Sequence, residues 1–128
     1  MVIGQPVVSA ETGIELTVLD IQRNVQPNNL AAAQGMEFVA VSVQLRSVQP
    51  TGAPKQFSIN DFQLQNGQGV RYTPDPQADN GRRLQDAQLP ENITIEGDLL
   101  FHIPLGDAPL FLLWQATGST QAYTIALQ

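Results

Sequence analysis

The side chains that could do chemistry in this 128-residue sequence are few, and the first is His102, its only histidine. A nucleophile–histidine pair needs a hydroxyl or thiol held at the imidazole. The chain has no cysteine and no G-x-S-x-G or similar elbow. Strand alternation places His102 on the same outward phase as Glu96 and Asp98, where an exposed structural histidine is expected. Paired carboxylates can do acid–base work, but nothing in the pattern around Glu96 and Asp98 points to a pocket. Met1 and Met36 are the only thioethers, too few beside one imidazole to hold a soft metal. Asp75, Asp79 and Asp86 share a long loop, and calcium favours such oxygen ligands. Their spacing is not that of an EF-hand, because Asp75 is followed by Pro76 and no glutamate stands at the bidentate position. They are calcium candidates set against the plainer reading of a solvated loop. The expectation is a chain that is not an enzyme and carries no cofactor.

The charge balance narrows the partners. Six basic residues against twelve acidic ones give a net charge of −6. A nucleic-acid surface needs a Lys/Arg footprint, and Arg82-Arg83 is the only adjacent basic pair. Anionic membranes are disfavoured for the same reason. Without cysteine there are no disulfides, and the compartment stays open. No apolar run approaches the ~20 residues that span a bilayer. The first residues lack the charged and apolar regions of a signal peptide, so either the protein is cytosolic or an export signal lies outside this sequence. Asn92-Ile93-Thr94 matches a glycosylation sequon, a match that a bacterial origin would make incidental.

The elements that must position these residues are strands. Ile14, Leu16 and Val18 alternate with Glu15 and Thr17, and the phase then slips to Leu19 and Ile21, as a β-bulge would produce. Residues 24–35 read as a loop. Val39, Val41, Val43 and Leu45 alternate with Ala40, Ser42, Gln44 and Arg46, a half-buried antiparallel strand. A turn cluster follows at 50–54, then Phe57 and Ile59, and Phe62 and Leu64 in the opposite phase. Asn66-Gly67 signals a hairpin, with Val70 and Tyr72 as the return. Residues 74–90 show no pattern. Ile93, Ile95, Leu99, Phe101 and Ile103 share one phase, with Gly97 in place of a core side chain. Residues 110–114 are nearly all apolar, expected of a central strand covered on both faces; Phe111, Leu112 and Trp114 read as core, with an interface anchor the alternative for Trp114. Tyr123, Ile125 and Leu127 close the chain. One domain over 1–128, an antiparallel sandwich of about seven strands, follows from this spacing.

The order Gly35-Met36-Glu37-Phe38-Val39-Ala40-Val41, then Asp61-Phe62-Gln63-Leu64 before Asn66-Gly67, then Gly97-Asp98-Leu99-Leu100-Phe101-His102-Ile103-Pro104, carries a family resemblance. The chain resembles the immunoglobulin-like domain-of-unknown-function family of bacterial lipoproteins and membrane-anchored surface proteins. Ser47 stands where that family often has asparagine. The resemblance implies an immunoglobulin-like β-sandwich outside the cytoplasm, tethered by a preceding signal or lipid anchor, and supplies no catalytic residue. A protein partner in the cell envelope is the expectation. The loops that would meet it carry Asn28, Asn29 and Leu30 on one side and Asp79, Asn80, Arg82 and Arg83 on the other. The alternatives are a structural spacer, in which deleting residues 77–82 leaves stability unchanged, and a calcium-stabilised domain.

Overall fold

The computed structural model describes residues 2–48 and 55–127. Met1 and the turn cluster expected at 50–54 lie outside them. Ten strands occur among the described residues: β1 (Val7–Val8), β2 (Ile14–Val25), β3 (Met36–Ser47), β4 (Lys55–Phe57), β5 (Phe62–Asn66), β6 (Arg71–Tyr72), β7 (Ala87–Leu89), β8 (Thr94–Pro104), β9 (Pro109–Trp114) and β10 (Tyr123–Ala126). They form two four-stranded sheets, β1-β2-β3-β8 and β10-β9-β5-β6, with β4 and β7 as a separate pair. Every ladder between named strands is antiparallel. The fold is an antiparallel β-sandwich.

The inward alternation predicts the core correctly. Val39, Val41, Val43 and Leu45 of β3 meet Ile14, Leu16 and Val18 of β2 and Leu99, Phe101 and Ile103 of β8, all buried. From the opposing sheet come Phe62, Leu64, Leu112, Trp114 and Ile125. Trp114 is core and not an interface anchor; its ring lies 6.5 Å from that of Phe62 and 5.7 Å from that of Tyr123, centroid to centroid. The slip after Val18 is a register shift between Val18 and Asp20, and it turns Leu19 outward.

Several expectations are corrected. Phe111 and Leu113 are only half-buried, so β9 alternates like an ordinary strand of a two-layer sheet. Ile93 is exposed, because β8 begins one residue later. The Asn66-Gly67 hairpin forms, but the left-handed residue is Gly69 (φ 83°). The Asn66 carboxamide oxygen accepts from the amides of Gln68 and Val70, each at 2.9 Å, and shapes the turn.

The largest correction concerns the outer face of β3 and β8. Alternation assigns it to solvent, yet Phe38, Ala40 and Leu100 are buried there. Residues 74–84 form a strap that crosses this face and rounds the free edge of β8. Ala78 lies buried against Phe38, Ala40 and Leu100, with Leu30 and Val25 beside them. The strap then bonds to the edge: the amide of Asp75 donates to Leu100 O at 2.7 Å, that of Leu84 to Asp98 O at 2.9 Å, and that of Asp98 to Arg82 O at 2.8 Å. Arg83 and Asp98 form an isolated parallel bridge on the same edge. Leu84 continues into the main core. It occupies the space beneath Gly97, whose missing Cβ would fall 2.9 Å from Leu84 Cα.

Candidate functional site

The two loops read as separate binding elements meet and zip together. The Asn28 amide donates to Asp79 O at 2.7 Å, Asn29 Nδ2 donates to Gln77 O at 2.6 Å, and the Asp79 amide donates back to Asn29 Oδ1 at 2.9 Å. Asn80 Nδ2 donates to Asp98 Oδ2 at 2.8 Å, and Arg83 Nη1 to Pro76 O at 2.6 Å. Arg82 Nε sits 3.9 Å from Asp98 Oδ2. Beneath them Leu30 packs on the Phe38 cluster. Asn28, Asn29, Leu30, Asp79, Asn80, Arg82 and Arg83 are thus brought together, but their interactions hold the strap.

The calcium candidates do not assemble. Asp75 Oδ1 accepts from the amides of Gln77 and Ala78, Asp79 Oδ1 from that of Gly81, and Asp86 Oδ1 from that of Ile59. Asp75 and Asp79 each close their own turn, the ordinary use of aspartate in loops, whereas Asp86 ties its loop to the distant Ile59 turn. Among the described residues no three His, Cys, Asp or Glu side chains are placed to hold a metal ion. Asp98, expected on the solvent side, is buried and also accepts from Ser42 Oγ at 2.7 Å. His102 is half-buried, not exposed: its ring stacks on Phe38 at 4.3 Å, and Nε2 accepts from the Ala33 amide at 3.1 Å. It joins the 26–35 loop to the sheet face.

Sequence reasoning missed a polar brace at the end of the sandwich near Asp107. Arg23 Nε and Nη2 donate to the two carboxylate oxygens of buried Glu37 at 2.9 and 2.8 Å, and Nη2 also reaches Asp107 O at 2.6 Å. Asn66 Nδ2 lies 3.1 Å from both Asp107 oxygens, and the Tyr72 hydroxyl donates to Oδ2. The brace therefore links β2 and β3 to β5 and β6. Its one sequence signal was a glutamate inside an apolar strand, Glu37 between Met36 and Phe38. Hydrogen bonds from Arg23 hold the Glu37 carboxyl below its ordinary value against the cost of burial, and those from Tyr72 and Asn66 do the same for Asp107.

Folded carboxyl values below the unfolded ones mean that this stabilisation is complete above the unfolded range. It is lost as pH falls toward the folded values. The urea midpoint is expected to fall as pH drops below about 5, and Glu37→Gln to flatten that acid limb. Tyr72→Phe removes the donor to Asp107 and is expected to cost about 1 kcal/mol in urea unfolding at neutral pH.

The remaining constellation surrounds a 3₁₀ turn, Ile59–Asp61. Ser58 caps it reciprocally: Ser58 Oγ accepts from the Asn60 amide at 3.1 Å, and Asp61 Oδ2 accepts from the Ser58 amide at 3.0 Å. Thr117 Oγ1 donates to the Asp61 carboxylate at 2.8 Å, tying the turn to the segment after β9. Burial raises the Asp61 carboxyl above its ordinary value, and the charge of Asp86 adds to this, against the hydrogen bonds from Thr117 and Ser58. Beside the turn, a groove of about 280 Å³ opens on the outer face of the second sheet. Its floor is the cross-strand row Gln63, Leu113 and Thr124. Asn60 and Asp61 wall one side and Arg71 stands on the β6 side.

The model of DUF4352, a domain of unknown function, matches residues 2–122. The chain belongs to the DUF4352 family. Among solved structures it is similar to yjhA of Bacillus subtilis, with a TM-score of 0.73 at 15% identity and 100% of each chain covered. It is similar to ycdA of Bacillus subtilis, a candidate lipoprotein, with a TM-score of 0.72 at 17% identity, covering 96% of this chain and 38% of that one. The secreted protein MPT63 of Mycobacterium tuberculosis gives a TM-score of 0.71 at 12% identity over 100% of this chain and 95% of its own. The chain thus spans under half the length of ycdA but nearly all of yjhA and MPT63. No curated protein matches in sequence.

These likenesses carry the fold of a DUF4352 domain and no residue roles. No helix among the described residues is long and apolar enough to cross a membrane. The groove was invisible as a site in the sequence because its polar residues come from four separate stretches, 60–63, 71, 115 and 124. The S-x-x-D spacing of Ser58 and Asp61 was the one local signal, that of a capped turn.

Proposed function

We propose that this chain is a non-catalytic binding module of the cell envelope, acting outside the cytoplasm by adhesion or protein–protein contact and held there by a lipid or membrane anchor. One observation carries this reading. The side chains that could have done chemistry are each engaged in structural hydrogen bonds: His102 and Asp98 hold loops to β8, and the loop aspartates accept from loop and turn amides. A catalytic group needs a free lone pair or proton aimed at a substrate position, and these are committed elsewhere. The similarity to a candidate lipoprotein and a secreted protein supports the compartment. A second reading, a spacer within a longer surface protein, is favoured by the similar fold that occupies 38% of ycdA.

Protease shaving of intact host cells, followed by cross-linking and envelope fractionation, tests the proposal. Recovery of the chain in the shaved fraction with a cross-linked envelope component is the expected result. A chain protected from protease and recovered with cytosolic proteins would refute it. An exposed chain with no cross-linked component would favour the spacer.

A further inference from the structure

We propose that the groove beside the Ile59–Asp61 turn binds a short segment of neutral oligosaccharide. The inference rests on the binding-module reading and names a ligand class for it. The distribution of unspent hydrogen-bonding groups leads to it. In the strap, asparagine and aspartate side chains are consumed by the protein itself. In the groove, the side chains of Asn60, Gln63, Arg71 and Thr124 stand around one concavity, and no hydrogen bond of theirs to another described residue is present. Gln115 keeps its carboxamide oxygen after its Nε2 donates to Ser119 O at 2.9 Å.

These groups suit vicinal hydroxyls. Each sugar hydroxyl both donates and accepts. A carboxamide presents an acceptor and a donor side by side, and a guanidinium presents paired donors. The half-buried Leu113 side chain at the centre of the row offers an apolar floor for the C–H face of a ring. The groove runs across four strands, β6 to β10, so its length is about three strand spacings, roughly 14 Å. That length is room for about two or three pyranose rings, in a shallow groove whose volume lies just under that usual for ligand clefts.

The charge is also suitable. In a chain of net charge −6, the groove is lined by only two ionisable groups, Arg71 and Asp61. An extended peptide is the weaker fit. It would dock by adding to a strand edge or by filling side-chain pockets, whereas this groove crosses strands whose inner ladders are already paired, and its apolar lining is limited to Leu113, Ala122 and Trp114, the last with its side chain buried in the core.

The test is a ¹H–¹⁵N NMR titration of the whole chain with chitotriose, cellotriose and maltotriose, with a tetraglutamate peptide as the competing class. Saturable shifts are expected with at least one trisaccharide at up to about 10 mM, at the Gln63, Leu113 and Thr124 amides and the Asn60 and Gln63 side-chain NH₂ groups. Gln63→Ala and Arg71→Ala are expected to weaken that binding about fivefold or more, with unchanged thermal unfolding. The inference is overturned if no trisaccharide moves these signals, if the shifts map to residues 28–30 and 79–83, if both variants bind as well as the parent, or if only the peptide binds. Because purified protein is used, absent sugar binding in a surface-exposed chain refutes this ligand class and leaves the binding-module reading standing. Sugar binding by a cytosolic chain does the reverse.

Discussion

Gly97→Ala is expected to cost about 2 kcal/mol, a methyl group's worth of overpacking, and to loosen the strap before the sandwich. Gly97 is not in the left-handed region, so backbone strain plays no part. What excludes a side chain is proximity: a Cβ would meet Leu84 Cα at 2.9 Å and Leu84 N at 3.0 Å. Those are backbone atoms, and they are pinned on either side, by the Leu84 amide on Asp98 O and by the Asp98 amide on Arg82 O. The chain can relieve the clash only by giving up one of these bonds or by withdrawing Leu84 from the core. Urea unfolding should show the loss in midpoint, and amide exchange should show Leu84 opening before Val41. A Gly97→Ala variant of parental stability would mean that the close approach does not constrain the edge.

Deleting residues 77–82 is expected to cost at least about 3 kcal/mol. The estimate comes from uncovering much of Phe38 and Leu100 at ~25 cal/mol per Å² and from leaving Asp98 buried without Asn80. The spacer reading of the sequence expects no change from the same deletion, so the two accounts separate cleanly. Asn80→Ala is the gentler version. It leaves the chain length intact and removes the donor to Asp98 together with the Oδ1 that accepts from the Arg82 amide at 3.0 Å, for an expected loss of about 1–2 kcal/mol. Denaturant midpoints at constant slope would measure both.

The difference between those two expectations shows what the sequence does and does not reveal. Period-two alternation reports which residues face the core when a sheet has one covered side. It worked for Val39 to Leu45, for Leu99 to Ile103 and for the bulge after Val18, because those facts are local. The same rule assigned Phe38, Ala40 and Leu100 to a solvent face and failed, because what covers them comes from 74–84, far along the chain. Phe38 and Leu100 were apolar residues on the outward phase, and that was the available clue. The polar composition of the strap concealed it, since only Ala78 supplies apolar cover from above the outer face and most of the fastening is by backbone and carboxamide groups. The brace from Arg23 to Tyr72 was hidden for the same reason, its members lying on separate strands and loops. Local chemistry alone could identify polar residues at 28–30 and 79–83. It could not tell that they would be spent on each other.

Whether the strap is part of the cooperative structure is therefore the question on which the account turns. If it is, the face beneath it is not a binding surface, and recognition belongs elsewhere on the sandwich. Native-state amide hydrogen exchange of the whole chain answers this directly. The account predicts that the amides of Asp75, Leu84 and Asp98 exchange with the same free energy as those of Val41 and Phe101, through global unfolding. Exchange of Asp75 and Leu84 through a low-energy local opening, with Val41 and Phe101 still protected, would contradict it.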